Sequence, residues 1–171
     1  MDIPLAEPLR HNAWATLRLL EASRALTLEQ LAATVPGTFG SVLATLQHII
    51  RSESFYQFLL SGHWPAWRWP EDRSPDLDTL ERAAQESAAF WETFLSEPYD
   101  PDRPVVAPDP REDKTHDVAL GVILTQVLDH GTDHRSQIST ILTAIGVTPP
   151  RLDAWAYGRA RGRVVTRPPP A

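Results

Sequence analysis

Two histidines in the segment 120–145 have a spacing that suits metal binding. His130 and His134 lie four residues apart. At about 100° per residue, His130 falls at the edge of the apolar stripe of a helix and His134 falls inside that stripe. Residues so spaced have Cβ atoms about 6 Å apart, so two imidazole nitrogens can reach one ion at about 2.0–2.1 Å. Gly131 lies between them and has no side chain, so no group protrudes from the helix surface there. The spacing is equally consistent with two neutral, hydrogen-bonded histidines in the core.

Any metal ligand in this chain has to be a histidine or a carboxylate, because the sequence contains no cysteine. A third ligand must come from elsewhere, and the other histidines are His11, His48, His63 and His116. Gly131 stands where an H-E-x-x-H metalloprotease has its glutamate, and the two Glu-x-x-His motifs of a di-iron bundle are missing. The chain also lacks G-x-S-x-G, G-x-G-x-x-G and P-loop motifs, so hydrolase triads, dinucleotide folds and P-loops have no support.

The helix that carries this pair belongs to a chain that sixteen prolines divide into segments. The proline-free windows long enough for a helix are 9–35, 37–64, 76–97 and 111–148. Proline inside a helix costs about 3 kcal/mol, and apolar residues recur at helical spacing within these windows. The sequence therefore predicts an all-α four-helix bundle. Asp78, with Glu81 three residues later, resembles the N-terminal cap of the third helix.

Two connecting segments have distinctive compositions. Residues 98–114 hold five prolines and the apolar pair Val105-Val106, which indicates a proline-rich loop or a short hairpin between the third and fourth helices. Residues 62–75 are rich in tryptophan, and we expect these rings to form a lid over one end of the bundle. The tryptophans of this connector are Trp64, Trp67 and Trp69.

Length and charge restrict the class of protein. The chain has 171 residues and a formal net charge of −6, with +4 on residues 151–171 and −10 on residues 1–150. We expect one domain over 1–155 and a flexible Arg/Pro-rich tail over 156–171. An acidic body disfavours nucleic-acid binding. No window is apolar enough to span a membrane and the N-terminus lacks signal-peptide order, so we expect a soluble, cytoplasmic protein.

The sequence around the two histidines resembles the last helix of the DinB-like family of damage-inducible proteins. That helix reads H-x-x-x-H-R-x-Q-[IL] before a glycine and a Pro-Pro-x-x-Asp stop, and here residues 129–138 are followed by Gly146, Pro149-Pro150 and Asp153. Similarity extends to the first two helices of the family. The matching residues there are Asn12-Ala13-Trp14 and Leu46-Gln47-His48-Ile49 with Glu53.

This resemblance covers residues 8–155 and implies a four-helix bundle, commonly a homodimer, that holds a divalent metal such as zinc or nickel. Carried over position by position, the implied ligands are His48, His130 and His134. The remaining histidines are then expected in loops or at the surface. The second helix also has a second, partly apolar side, which fits a dimer contact. That side comprises Ala44, Phe55 and Leu59.

Three neutral imidazoles leave a coordination position open, which is typical of a catalytic metal. Such a metal can activate water, as in a hydrolase, or a low-molecular-weight thiol, as in an S-transferase, and the resemblance includes both activities. We expect a metal-dependent enzyme with a small-molecule substrate, and the alternative is a non-catalytic, homodimeric metal-binding bundle of the stress response. By helical arithmetic Glu53, Asp133 and Arg135 lie nearby, and Asp133 or Gln137 could fix a ring tautomer.

Overall fold

The computed structural model describes residues 5–70, 72–109 and 112–167. Four long helices form the bundle, which confirms the predicted all-α fold. The elements in chain order are α1 (Ala6–Ser23), α2 (Leu28–Ala32), α3 (Val42–Ser61), α4 (Leu77–Phe94), β1 (Pro104–Asp109), β2 (Lys114–Ala119), α5 (Leu120–Ala144) and α6 (Ala154–Ala160). The short helices α2 and α6 were not predicted. No helix among the described residues is both long and apolar enough to cross a membrane.

The long helices enclose two apolar clusters, one toward each end of the bundle. The first cluster includes Leu19, Leu46, Leu80 and Ile138. The second cluster includes Leu9, Tyr56, Trp91 and Leu124. Along every long helix, buried polar residues separate the part that enters one cluster from the part that enters the other. This middle layer contains Asn12 and Thr16 on α1, Glu53 on α3, Ser87 on α4, and His134 and Arg135 on α5.

Of the two forms predicted between the third and fourth long helices, a proline-rich loop or a short hairpin, the structure has the hairpin. Strands β1 and β2 pair in antiparallel register from Pro104 opposite Ala119 to Asp109 opposite Lys114. Because β2 ends at the residue before α5 begins, the hairpin leads directly into the helix that carries the histidine pair. Val105 is buried in the second cluster, whereas Val106 is exposed.

The predicted cap of α4 is wrong by two residues. The carboxylate of Asp76 accepts a hydrogen bond from the Thr79 backbone N–H at 2.9 Å and caps the helix. Asp78 and Glu81 instead pair with Arg24, at 2.7 Å and 2.9 Å. A carboxylate can cap only if its backbone precedes the helix, and Asp78 already lies in the first turn.

The tryptophan connector covers the bundle with two of its three rings. Trp69 is buried in the first cluster and Trp67 packs against the same cluster. Trp64 lies outside, where its ring stacks on Phe58 with centroids 4.4 Å apart and the Arg68 guanidinium lies 3.9 Å from its centroid.

The predicted domain boundary at residue 155 falls inside α6. Asp153 caps this helix, and the buried Tyr157 donates its hydroxyl to Glu7 on α1 at 3.2 Å. The flexibility expected for 156–171 stays a prediction, and its last residues, 168–171, lie outside the described part of the chain.

Candidate metal centre

Three imidazoles from two helices meet at the level of the middle layer, to which His134 belongs. His48 comes from α3, and His130 and His134 come from α5. One ligand nitrogen from each ring lies within 4.8 Å of the others, and the Nε2 atoms of His48 and His130 are 2.9 Å apart. Ring centroids are 4.5–4.8 Å apart in all three pairs. The structure therefore brings together the three histidines that the resemblance implies.

The donor set fits a divalent cation of borderline softness. Two nitrogens bound to one ion at about 2.1 Å each can be at most about 4.2 Å apart, which is close to the separations found here. Histidines that bind metals usually hold their second ring nitrogen against an acceptor. His134 does so, because its Nδ1 lies 3.4 Å from Oε1 of Gln137, and Gln137 in turn donates from Nε2 to Asp133 at 2.8 Å.

Burial and mutual proximity favour the neutral form of His48 and His130. Burial lowers the pKa of His48, and positive charge on His134 and Arg51 would lower it further. The pKa of His130 is lowered to about 4 by burial and by its two histidine neighbours, against an opposing effect of Asp133. Since a cation binds the neutral ring, both histidines are ready to accept one near neutral pH without first losing a proton.

A network of buried charged and polar groups next to the histidines connects the four long helices by hydrogen bonds. Asn12 bridges it: its Nδ2 donates to Glu53 at 3.3 Å, and its Oδ1 accepts from Arg135 at 2.7 Å. Glu53 also accepts hydrogen bonds from Trp91 Nε1 at 2.7 Å and Ser87 Oγ at 3.1 Å. Burial raises the pKa of the Glu53 carboxyl, while these hydrogen bonds work in the other direction.

This network fixes how α5 is rotated around its axis. Arg135 directly follows His134 and is 4% exposed, and burial lowers its pKa to about 10, so it remains a cation at neutral pH. Gly131 makes the arrangement possible: a Cβ there would lie 2.7 Å from Arg135 NH1 and would overlap Asn12 Oδ1. With Arg135 directed into the bundle, its neighbour His134 and the preceding His130 are directed toward α3.

The other histidines do not join the cluster. A ring nitrogen of His11 lies 2.7 Å from the Leu152 carbonyl, and His63 and His116 are exposed. Within the described residues, the trio is the one group of three or more histidines and carboxylates close enough to share an ion. His48 is therefore the third candidate ligand that the geometry supports.

Two residues beside the trio were missed by the sequence analysis. Ser52 places its Oγ 3.4 Å from His130 Nε2, and its position one helical turn after His48 could have indicated this. Phe39 stacks on His48 from the loop before α3, where no periodic pattern exists to predict it. Of the nearby charged residues, Glu53 and Arg135 are engaged in the network, and Asp133 contacts Gln137.

Comparison with known protein families confirms the resemblance found in the sequence. The model of the DinB family matches residues 1–165, which is nearly the whole chain. No curated protein matches the chain.

Proposed function

The chain belongs to the DinB family, and from this premise we propose that it is a divalent-metal-dependent enzyme acting on small molecules. His48, His130 and His134 would hold the ion, with zinc or nickel as the expected metal. The observation that carries the proposal is the convergence of three imidazoles from α3 and α5, with ligand nitrogens within 4.8 Å of one another.

The surroundings of the trio favour catalysis over a closed structural site. His48 and His130 are half-buried, so solvent reaches the side of the cluster where they lie, whereas His134 is buried as part of the middle layer. A divalent cation with three protein ligands keeps a position for a reactant and can lower the pKa of water there to about 7 or deprotonate a thiol.

Side chains around the trio orient one candidate ligand and offer a hydrogen-bond partner to a reactant. Gln137 accepts from His134 Nδ1, which leaves Nε2 of that ring for a cation. The Ser52 hydroxyl faces His130 and can hydrogen-bond a reactant beside the trio. The chain has no thiol of its own, so a sulfur nucleophile must arrive as a separate low-molecular-weight thiol. We favour thiol S-transfer and keep hydrolysis as the second reaction of the same site.

A conjugation assay tests the S-transferase proposal. Metal-loaded protein is mixed with a low-molecular-weight thiol and 1-chloro-2,4-dinitrobenzene; the sulfur bonds to the ring carbon, chloride leaves, and buffer takes the thiol proton. We expect conjugation above the uncatalysed rate for wild type and background for His134→Ala, with His116→Ala matching wild type. Activity retained in His134→Ala would contradict the proposal.

A non-catalytic metal-binding bundle is the second candidate. It is favoured by one observation: the carboxylates near the trio are engaged elsewhere, Glu53 in the buried network and Asp133 with Gln137, so neither is free to act as a base. One bound metal per chain, with no turnover across panels of thiols and of esters, would support this candidate over the enzyme.

We also propose a homodimer and no binding of nucleic acid. Sedimentation at micromolar concentration is expected to give twice the 19.1 kDa mass of the chain. A monomer would contradict the dimer.

The proposal that the chain does not bind nucleic acid follows from the net negative charge of residues 1–150. Retention on duplex DNA that weakens steeply with salt would contradict it.

A further inference from the structure

Phe39 is a large apolar side chain at an unusual place. Its ring stacks on the imidazole of His48, with centroids 4.1 Å apart and planes 20° apart, and meets His134 edge to face at 5.2 Å. It is nonetheless 53% exposed and belongs to neither apolar cluster. Filling the core therefore does not explain this ring.

The loop holds Phe39 over the histidines by a defined hydrogen bond. The backbone N–H of Phe39 donates to Oε1 of Gln137 at 2.8 Å, the same oxygen that lies 3.4 Å from His134 Nδ1. The hydroxyl of the preceding residue, Thr38, donates to the Val35 carbonyl at 2.7 Å. The phenyl ring is thus positioned by the residue that orients one of the candidate ligands.

Such a ring offers a contact surface to whatever binds at the trio. One face covers His48, while about half of the side chain remains open to solvent beside the candidate ligands. Because the ring lies 4.1 Å from His48 and 5.2 Å from His134, between centroids, a substituent on a reactant held at the three nitrogens would lie close to it. Flat apolar groups gain from stacking against an aromatic ring, whereas a small hydroxylated group does not.

We infer that Phe39 determines specificity at this site and selects reactants whose coordinating atom carries a flat apolar group, such as an aralkyl thiol. This inference rests on the proposed function, because it requires a metal at the histidines. It goes further by naming the substrate class and the side chain that recognises it.

Cobalt-loaded protein tests the inference without any turnover, since cobalt absorption reports metal occupancy and a sulfur-to-cobalt band reports thiol binding. The probes are benzyl mercaptan and 2-mercaptoethanol, two alkyl thiols of similar acidity that differ in the group beyond the sulfur. We expect wild type to bind benzyl mercaptan more tightly. Phe39→Ala is expected to bind it about tenfold more weakly while its affinity for 2-mercaptoethanol changes less than about twofold.

Matched variants separate specificity from support of the fold. Trp155→Ala removes another exposed aromatic ring, on α6, and is expected to leave both affinities unchanged. Equal effects of Phe39→Ala on both thiols, or none on either, would overturn the inference while the metal site stands. Loss of cobalt from Phe39→Ala would also overturn it, since the ring would then only support His48. Failure of wild type to bind cobalt would refute the proposed function itself, and the inference with it.

Discussion

His130 is half-buried beside two other imidazoles, and its burial together with these neighbouring rings lowers its pKa. Its pKa in the metal-free fold is about 4, against an ordinary value of 6.5. As pH falls below 6.5, the unfolded chain gains a proton at this position that the folded chain does not, so the free energy of unfolding falls until about pH 4. The pKa of His48 is shifted in the same direction.

Urea unfolding of the metal-free protein between pH about 7 and about 4 measures this effect. We expect the His130→Asn variant to lose stability less steeply over this range than wild type does. Buried Glu53, whose pKa is raised, increases the free energy of unfolding as pH falls. This effect is present in both proteins and cancels in the comparison. Parallel pH profiles would show that His130 does not titrate as described.

The effect of Gly131→Ala on the free energy of unfolding measures how closely the network of Asn12 and Arg135 packs against α5. Gly131→Ala places a Cβ 2.7 Å from Arg135 NH1 and against Asn12, so we expect a loss of about 2 kcal/mol in the free energy of unfolding. At Gly40 a Cβ would meet only the Ala44 Cβ at 3.5 Å, and Gly40→Ala is expected to change stability by less than about 0.5 kcal/mol. A Gly131→Ala protein as stable as wild type in thermal and chemical unfolding would contradict this close packing.

The residues of the centre differ in how far the sequence could predict them. His130 and His134 share one helix, so their spacing alone places them on one face. His48 lies on another helix, and only the resemblance indicated which of the remaining histidines would join them. Phe39 could not be predicted, because its position depends on a hydrogen bond to Gln137, which is 98 residues away in the sequence.

At the scale of the elements, Asn12 joins α1 to charged groups on α3 and α5. Asn12→Ala removes an acceptor from buried Arg135 and a donor from buried Glu53, and we expect it to lower the free energy of unfolding by about 3 kcal/mol. As a control, Glu92→Ala breaks the exposed pair with Arg10, at 2.9 Å, and is expected to cost less than about 1 kcal/mol. If urea unfolding gave equal losses of free energy for Asn12→Ala and Glu92→Ala, the link that Asn12 makes between Glu53 and Arg135 would not be important for stability.

The sequence predicts long elements better than short ones. Proline-free windows and helical periodicity indicate α1, α3, α4 and α5 because each extends over several turns. Helix α2 has five residues and α6 has seven, too few for a period to emerge. The capping box of Thr27 with Gln30 and the Asp153 cap were the available signals, and neither accompanies a long apolar pattern.

At the scale of the whole molecule, the bundle has an apolar cluster toward each end and a polar layer between them. Asn12, Glu53 and Arg135 of this layer form the charged network, and His134 of the same layer belongs to the trio, so the groups that hold the helices together lie next to the candidate ligands. A metal that binds the folded chain more tightly than the unfolded one stabilises it. Assembly of the centre and stability of the bundle are therefore linked.

The claim that His48, His130 and His134 form a metal site is tested by titration of metal-free protein with zinc, followed by competition with a chelator. We expect one ion per chain for wild type and one for the control His11→Ala, whose ring contacts Leu152 instead. Tight binding is expected to be lost in His48→Ala, His130→Ala and His134→Ala. A wild-type chain that binds no divalent ion, or histidine variants that bind it as tightly as wild type, would contradict the claim.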